Sequence, residues 1–539
     1  KWPWPIGCKC KYCREKFRDD TGLEIPEKVD WSSDVFKKFM LWRVDRLNEF
    51  LQYVASKVQE KRPGLPLIYN HYTLNYVNGE TAHTFNPIER TYYYFTEDYI
   101  THYFAAKMMR AEKKEYFEVW NWATELVQGV AHGMPPYPNP NNSIIIGMSI
   151  MANGGVPVLA GITHDNVFYR DYFKKVFTEY KKRRDYIGGE PYKNCAIHFS
   201  EQTRDFRYSE RPREYRVNLQ GIYESLDRSQ IITDLVTDSQ LERDALSGYK
   251  FLYLADSACL SDAQCQAVRD YVADGGTVVA TLDTSLYDKM GNKRDNFALA
   301  DVFGVDYCGN DGGEFKPDRE DKRWFRIFEG HHGIIYIPHD KELKEKFGEI
   351  IALSGRNNII RAREGAQVLC TLSSRTHIMH WYINMEHDSG VPAVILNRYG
   401  KGLSYYICSD LGTAFMKSPL KRLKEFITYP VRKAGQDIEV TAPTRVQVTA
   451  FFKDGKLHVH LVNNQIPLMP DGINADVVRT YHVVEEMEPA RNIIVKLGGR
   501  KIKGVRMPVS DMNAEIIGES AVKVPEVEYH EVLIFDLED

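Results

Sequence analysis

A chain of 539 residues is too long for one hydrophobic core; at roughly 150 residues per domain it reads as three or four units. Hydrophobic residues make up 43% and charged residues 27%, with both signs interspersed and a net charge of −4. That is ordinary for a soluble globular protein and argues against a nucleic-acid or polyanion partner, and no apolar run approaches the ~20 residues of a membrane span.

From the amino end, Phe36, Met40, Val44, Leu47, Leu51, Val54 and Val58 recur at steps of three and four, which predicts a long amphipathic helix over 35–60. It stops at Arg62-Pro63-Gly64, and Leu67-Ile68-Tyr69 follow as a short buried strand. The alternation then repeats. A strand over 91–96 leads to a helix over about 98–112. A strand over 116–121 leads, past a proline-rich loop, to a helix over about 142–152, and a strand over 156–160 leads to a helix over about 168–185. Short strands alternating with helices are parallel βαβ units. Four strands are counted where a closed (β/α)8 TIM barrel takes eight over ~250 residues. Residues 1–190 are therefore expected to be the second half of such a catalytic barrel, its other half lying upstream of Lys1 or on another chain. A small open four-stranded sheet is the alternative.

A second α/β block is expected over 191–432, with strands Cys195–Phe199, Gln230–Val236, Phe251–Leu254 and Thr277–Leu282. Ser261 and Gln264 form a capping box that opens a helix closed by Gly275-Gly276. This pattern suits a flavodoxin- or amidotransferase-like doubly wound sheet. From about Thr441 the apolar period becomes two: Arg445–Phe452, the turn Lys453-Asp454-Gly455, and Leu457, Val459 and Leu461 alternating with His458 and His460 predict a hairpin. With Val532–Leu537 at the end, residues 433–539 are expected to form an antiparallel β-sandwich. The whole is an α/β multidomain chain.

In a (β/α)8 barrel the chemistry sits at the carboxyl ends of the strands. That rule selects Asn70, His71 and Tyr72, then Glu97 with Glu89 just before its strand, then Trp120 and Trp122, then His164. Carboxylates for proton transfer, amide and imidazole groups for hydroxyls, and indoles for a sugar face together suit glycosidic bond cleavage. Glu97 and Glu89 are the catalytic candidates; Glu97 also sits where an acidic helix cap would. Cys8, Cys10 and Cys13 are close enough to hold a structural zinc with a fourth ligand from elsewhere, or are three free thiols in a tight loop. Of the nine cysteines, Cys195, Cys259, Cys265, Cys308, Cys370 and Cys408 stand singly. They read as reduced, buried thiols of a cytoplasmic protein. Cys259 lacks a glycine-flanked elbow and reads as core rather than nucleophile.

The run Cys8-Lys9-Cys10-Lys11-Tyr12-Cys13-Arg14-Glu15-Lys16-Phe17, with Thr21-Gly22-Leu23 and Pro26, resembles the loop after barrel strand four in a group of glycoside hydrolases. The segment with Tyr249-Lys250, Ala258-Cys259-Leu260-Ser261, Asp274-Gly275-Gly276-Thr277, Leu286-Tyr287-Asp288 and Gly304 resembles the trimerisation domain of family 42 β-galactosidases. Over nearly the whole chain the order of motifs is most similar to the bacterial family 151 α-L-fucosidases. The resemblance implies a retaining exo-glycosidase acting on a terminal sugar, α-L-fucose first and β-galactose second, or a non-catalytic carbohydrate-binding homologue. It also implies a homo-oligomer, no organic cofactor, a nucleophilic aspartate upstream of Lys1 and a fourth zinc-binding cysteine there too. His331 and His332, between glycines that permit an exposed loop, either close the barrel mouth of a neighbouring subunit or are ordinary surface residues.

Overall fold

The computed structural model of the chain describes residues 8–65, 89–90, 100–112, 117–122, 140–160, 170–209, 212–242, 245–310, 333–373, 376–379, 382–385, 388–466 and 484–538. Helix α1 (Lys11–Thr21) ends on Gly22, whose φ of 71° supplies the left-handed C-cap. Helix α2 (Asp34–Lys61) is capped by the Ser33 hydroxyl, which accepts from the Phe36 amide. It is the long helix expected from the apolar period.

The βαβ alternation follows as β1 (Glu89–Arg90), α3 (Ile100–Glu112), β2 (Glu118–Trp122), α4 (Pro140–Ala152), β3 (Val156–Ala160) and α5 (Arg170–Lys181). The three strands form one parallel sheet in the order β1-β2-β3. Helix α4 is buried along nearly its whole length, because it is covered by α5 on one side and by the antiparallel strands described below on the other. Leu67-Ile68-Tyr69 and 91–96 lie outside the described residues.

The second body begins with β4 (Cys195–Phe199), α6 (Pro212–Asp227), β5 (Thr233–Thr237), β6 (Phe251–Leu254), α7 (Asp262–Ala273) and β7 (Thr277–Thr281). The Ser261 capping box is present in full: its hydroxyl accepts from the Gln264 amide at 3.1 Å, and the Gln264 side chain accepts from the Ser261 amide at 2.7 Å. Then come β8 (Gly333–Pro338), β9 (Ile351–Ser354), β10 (Gln367–Ser373), β11 (Asp388–Tyr399), β12 (Gly402–Ile407) and α8 (Leu411–Lys417). The sheet order is β9-β8-β10-β11-β12-β7-β6-β4-β5. Its parallel part runs β5, β4, β6, β7, β12, which is the flavodoxin-type order with a switch point between β4 and β6.

Two expectations need correction here. The sheet is not purely doubly wound, since β8 to β11 extend it with antiparallel strands that no helical alternation announces. Cys308 is not buried; it sits exposed on the short strand Val305–Asn310, whereas Cys195, Cys259, Cys265, Cys370 and Cys408 are buried.

The carboxyl-terminal strands are β13 (Ile438–Thr441), β14 (Val446–Lys453), β15 (Lys456–Asn463), β16 (Ile493–Leu497), β17 (Ile502–Arg506), β18 (Glu515–Ile517), β19 (Ala521–Val524) and β20 (His530–Leu537). They form two antiparallel sheets, β13-β16-β19-β18 and β17-β20-β15-β14, with Glu190–Pro191 joining the free edge of β14. Side chains of both sheets share one apolar core that includes Val440, Val448, Val459, Ile493, Val522 and Leu533. The predicted β14–β15 hairpin turns at Asp454, held at φ 51°, and Gly455.

Candidate functional site

Chemistry-bearing residues fall at three places in the fold: the carboxyl ends of the small parallel sheet, the cysteine loop before α1, and the switch point of the large sheet. In the first, β2 runs in register with β3 from Glu118 opposite Val156 to Trp122 opposite Ala160. Both strands therefore end level, and the Trp120-Asn121-Trp122 run lies at the carboxyl edge. Glu89 pairs with Glu118, the first residue of β2. It thus lies about 13 Å along the strand direction from the level of Trp122, at the opposite edge of the sheet. Asn70, His71, Tyr72, Glu97, His164, His331 and His332 lie outside the described residues.

What holds this sheet's helices is a buried polar seam that the sequence does not announce. The Tyr103 hydroxyl of α3 donates to Glu224 of α6. Lys107 Nζ donates to the Thr233 carbonyl at 2.6 Å, and the Arg110 guanidinium pairs with Asp234. Lys107 is 2% exposed, and burial pushes its ammonium well below its ordinary value. Burial likewise raises the Glu224 carboxyl to about 7, against the pull of Arg228. Helix α3 is fixed to β5 of the large sheet through Lys107 and Arg110, and to α6 through Tyr103.

In the cysteine loop, the ligand atoms of Cys8, Cys10 and Cys13 lie within 4.8 Å of one another. Tetrahedral zinc–thiolate bonds of ~2.3 Å place sulfurs about 3.8 Å apart, so the three thiols come within about 1 Å of the spacing such an ion requires. Among the described residues no fourth His, Cys or carboxylate joins the group. The backbone amide of Cys13 and the Cys8 side chain hold the Cys10 thiol below its ordinary value. Burial, then the two neighbouring sulfurs, pushes Cys13 up to about 12. The loop is braced from two sides. Glu27 takes Lys9 at 2.8 Å and Arg14 at 3.2 Å, and Cys13 packs on a small core of Phe17, Ile25, Phe39 and Trp42.

At the switch point, His198 at the end of β4 holds Ser257 Oγ at 2.9 Å through Nδ1 and Asp238 Oδ1 at 3.1 Å through Nε2. The connectivity is that of a nucleophile, base and orienting carboxylate. Yet His198, Ser257 and the adjacent Cys259 are all 0% exposed, and the turn of π-helix Thr203–Arg207 covers them, Thr203 Oγ1 accepting from the Cys259 amide at 3.0 Å. Burial pushes the Cys259 thiol far up, so it stays protonated and belongs to the core. Beside it, the left-handed Asp256, φ 55°, buries a carboxylate that accepts from Tyr208 and Arg356, and one of its oxygens accepts from the Asp283 amide at 3.0 Å. Burial, then the neighbouring Asp283, raises Asp256 to about 7. The crevice where doubly wound sheets take ligands is here filled by the protein's own side chains. It ties strand ends together.

The fold is thus that of a mixed α/β chain made of a parallel βαβ body, a large mixed sheet with its helices, and an antiparallel sandwich. No family model matches the chain, and no curated protein matches it by sequence. Solved structures do. It is similar to α-L-fucosidase isoenzyme 2 from Paenibacillus thiaminolyticus at 16% identity and a TM-score of 0.70, covering 99% of this chain and 76% of that one. It is also similar to the β-galactosidase from Bacillus circulans sp. alkalophilus, at 14% identity and a TM-score of 0.68 over 98% of this chain and 77% of that one. A third likeness is to a catalytic mutant of Gan42B, a GH42 β-galactosidase from G. stearothermophilus, at 16% identity and a TM-score of 0.65 over 98% of this chain and 76% of that one. Among the described residues no helix is long and apolar enough to cross a membrane.

Proposed function

We propose that the protein is a glycoside hydrolase that removes a terminal sugar from oligosaccharides or glycosides, with α-L-fucose as the preferred sugar. The observation that carries this reading is the likeness to an α-L-fucosidase over 99% of the chain, through all three bodies rather than the sheet alone. Residues 1–190 act as the second half of a (β/α)8 barrel, 191–432 as an α/β unit of the trimerisation type, and 433–539 as a sandwich. Glu97 is the acid/base; the register that sets Glu89 at the amino edge of the sheet favours Glu97 over it. Asn70, His71, Tyr72 and His164 bind sugar hydroxyls, and Trp120 and Trp122 offer a stacking face. His331 and His332 reach a neighbouring copy in a homo-oligomer. The nucleophile comes from a segment outside these residues, and retention follows if the two carboxyls stand ~5–5.5 Å apart.

Cys8, Cys10 and Cys13 hold a structural zinc ion, which would supply a closed cross-link rather than chemistry. Five buried free thiols suit a reducing cytoplasm. β-Galactosidase activity is the second reading, favoured by the likenesses to β-galactosidases. The deciding assay is hydrolysis of nitrophenyl α-L-fucoside and β-D-galactoside by the full-length protein, with Glu97→Gln and Glu89→Gln beside it. Glu97→Gln is expected to cost at least about 100-fold in kcat/KM, while Glu89→Gln stays near the parent. Turnover of neither glycoside by the parent protein, with sugar binding retained, would make it a carbohydrate-binding homologue instead.

A further inference from the structure

The sandwich meets the parallel βαβ body through a histidine-bearing sheet face. His458 and His460 alternate along β15, and His530 sits diagonally across on β20. His460 Nδ1 and His530 Nε2 are 3.0 Å apart, and the rings stack at 5.2 Å between centroids. They are 1% and 4% exposed. One neutral ring donates to the other, which uses a single proton between them. Among the described residues the outer nitrogens, His460 Nε2 and His530 Nδ1, meet no hydrogen-bond partner.

The charged groups that act on the pair are cations. Arg183, just beyond α5, donates through Nη2 to the His530 carbonyl at 3.3 Å. Arg110 of α3 lies over Phe451 at 5.1 Å, and that ring meets His460 edge-on at 5.7 Å. Lys453 Nζ holds the carbonyls of Asp185 and Ile187 at 2.6 and 2.9 Å, and His458 bonds the backbone of Tyr186. The nearby carboxylates are committed elsewhere. Glu179 is bound by Arg183 and Lys182, Glu531 accepts from the Val509 and Ser510 amides, and Asp454 lies beyond His458 in the hairpin turn. Among the described residues no free carboxylate offsets a further positive charge on either ring.

We propose that this contact is an acid-labile latch: the sandwich stays docked on the βαβ body while His460 and His530 are both neutral, and mild acid releases it. Burial, then His458, holds His460 down at about 3 when docked, and burial, then His460, holds His530 well below its ordinary value. Released from the helices, the rings meet water and titrate near 6.5. The docked state therefore binds fewer protons than the released one. Its full advantage is present above about pH 6.5 and is lost as pH falls below it, by up to about thirty-fold per imidazole at pH 5. The buried carboxyls Glu224 and Asp256, whose values are raised, contribute the opposite slope elsewhere in the chain. The latch is thus read locally and by difference.

The experiment is hydrogen exchange of the full chain at pH 7.5 and pH 5, corrected for intrinsic exchange rates. Peptides covering α4 (140–152) and the latched segment 183–189 are compared with β7 (277–281) as an internal reference. Acid is expected to lower protection at least ten-fold in the first two and to leave β7 unchanged. The double variant His460→Leu/His530→Leu should abolish most of that response, and His530→Gln, which keeps a neutral hydrogen-bonding group, should remove about half of it on a logarithmic scale. Unchanged protection of 140–152 and 183–189 in the parent protein overturns the latch, whether or not either variant folds. So does parallel loss in β7, or a variant that responds to acid as the parent does.

Discussion

Gly147, in the middle of α4, offers a test in which two effects of known size oppose each other. In an open helix interior, Gly→Ala stabilises by about 1 kcal/mol, because alanine loses less backbone freedom on folding. Here a Cβ would lie 2.1 Å from the Tyr180 hydroxyl oxygen and 2.2 to 2.3 Å from two ring carbons. To reach ordinary contact the ring must retreat by about 1.5 Å. Tyr180 cannot do so cheaply. It is 7% exposed, and its hydroxyl donates to the Ser143 carbonyl at 2.7 Å. Losing that bond costs about 1 kcal/mol and overpacking costs typically 1–3 kcal/mol, so Gly147→Ala should lower stability by a net of about 2 kcal/mol. Urea unfolding followed by tryptophan fluorescence measures it. A double-mutant cycle with Tyr180→Ala sharpens the test: once the ring is gone, the same Gly147→Ala change should become stabilising by a few tenths to about 1 kcal/mol. A Gly147→Ala protein as stable as its parent, or a cycle with no coupling, would refute this account of how α4 and α5 pack.

Three further outcomes are expected. Gly412→Ala should cost about 3 kcal/mol or more by thermal unfolding. Its Cβ would meet the Asn218 backbone oxygen at 1.8 Å, and a carbonyl of α6 has no rotamer into which to retreat. Asp256→Asn should flatten part of the pH dependence of stability. The raised value of Asp256, about 7, means that its stabilising contribution is full below about pH 4 and is lost as pH rises toward 7; a variant with the parent's slope over pH 4–7 would remove Asp256 from that role. Chelation or Cys13→Ser should lower the melting temperature of the zinc-loaded protein by several degrees, with protection lost first around the core of Phe17, Phe39 and Trp42; equal melting temperatures with and without chelator would leave the three thiols metal-free.

The elements readable from the sequence are those whose cause is local. The 3.6-residue recurrence from Phe36 to Val58 is enough for α2, the Ser261–Gln264 pair caps α7 because both partners are three residues apart, and strict alternation around Asp454-Gly455 specifies the β14–β15 hairpin. The candidate residues at strand ends came from a positional rule about barrels, which the register refines by separating Glu89 from the Trp120–Trp122 edge. The antiparallel strands β8 to β11 escaped because they lie between segments with no helical period, and their alternation is blurred by partial exposure.

What only the tertiary structure decided are meetings across long stretches of chain: Lys107 with the Thr233 carbonyl, His198 with both Asp238 and Ser257, and His460 with His530. None of these residues carries a local signal, since a polar side chain looks the same on a wet surface as in a dry seam. Whether it is solvated or must find a partner is set by which surfaces the packed sheets and helices remove from water. That removal depends on the fold as a whole rather than on any window of the chain.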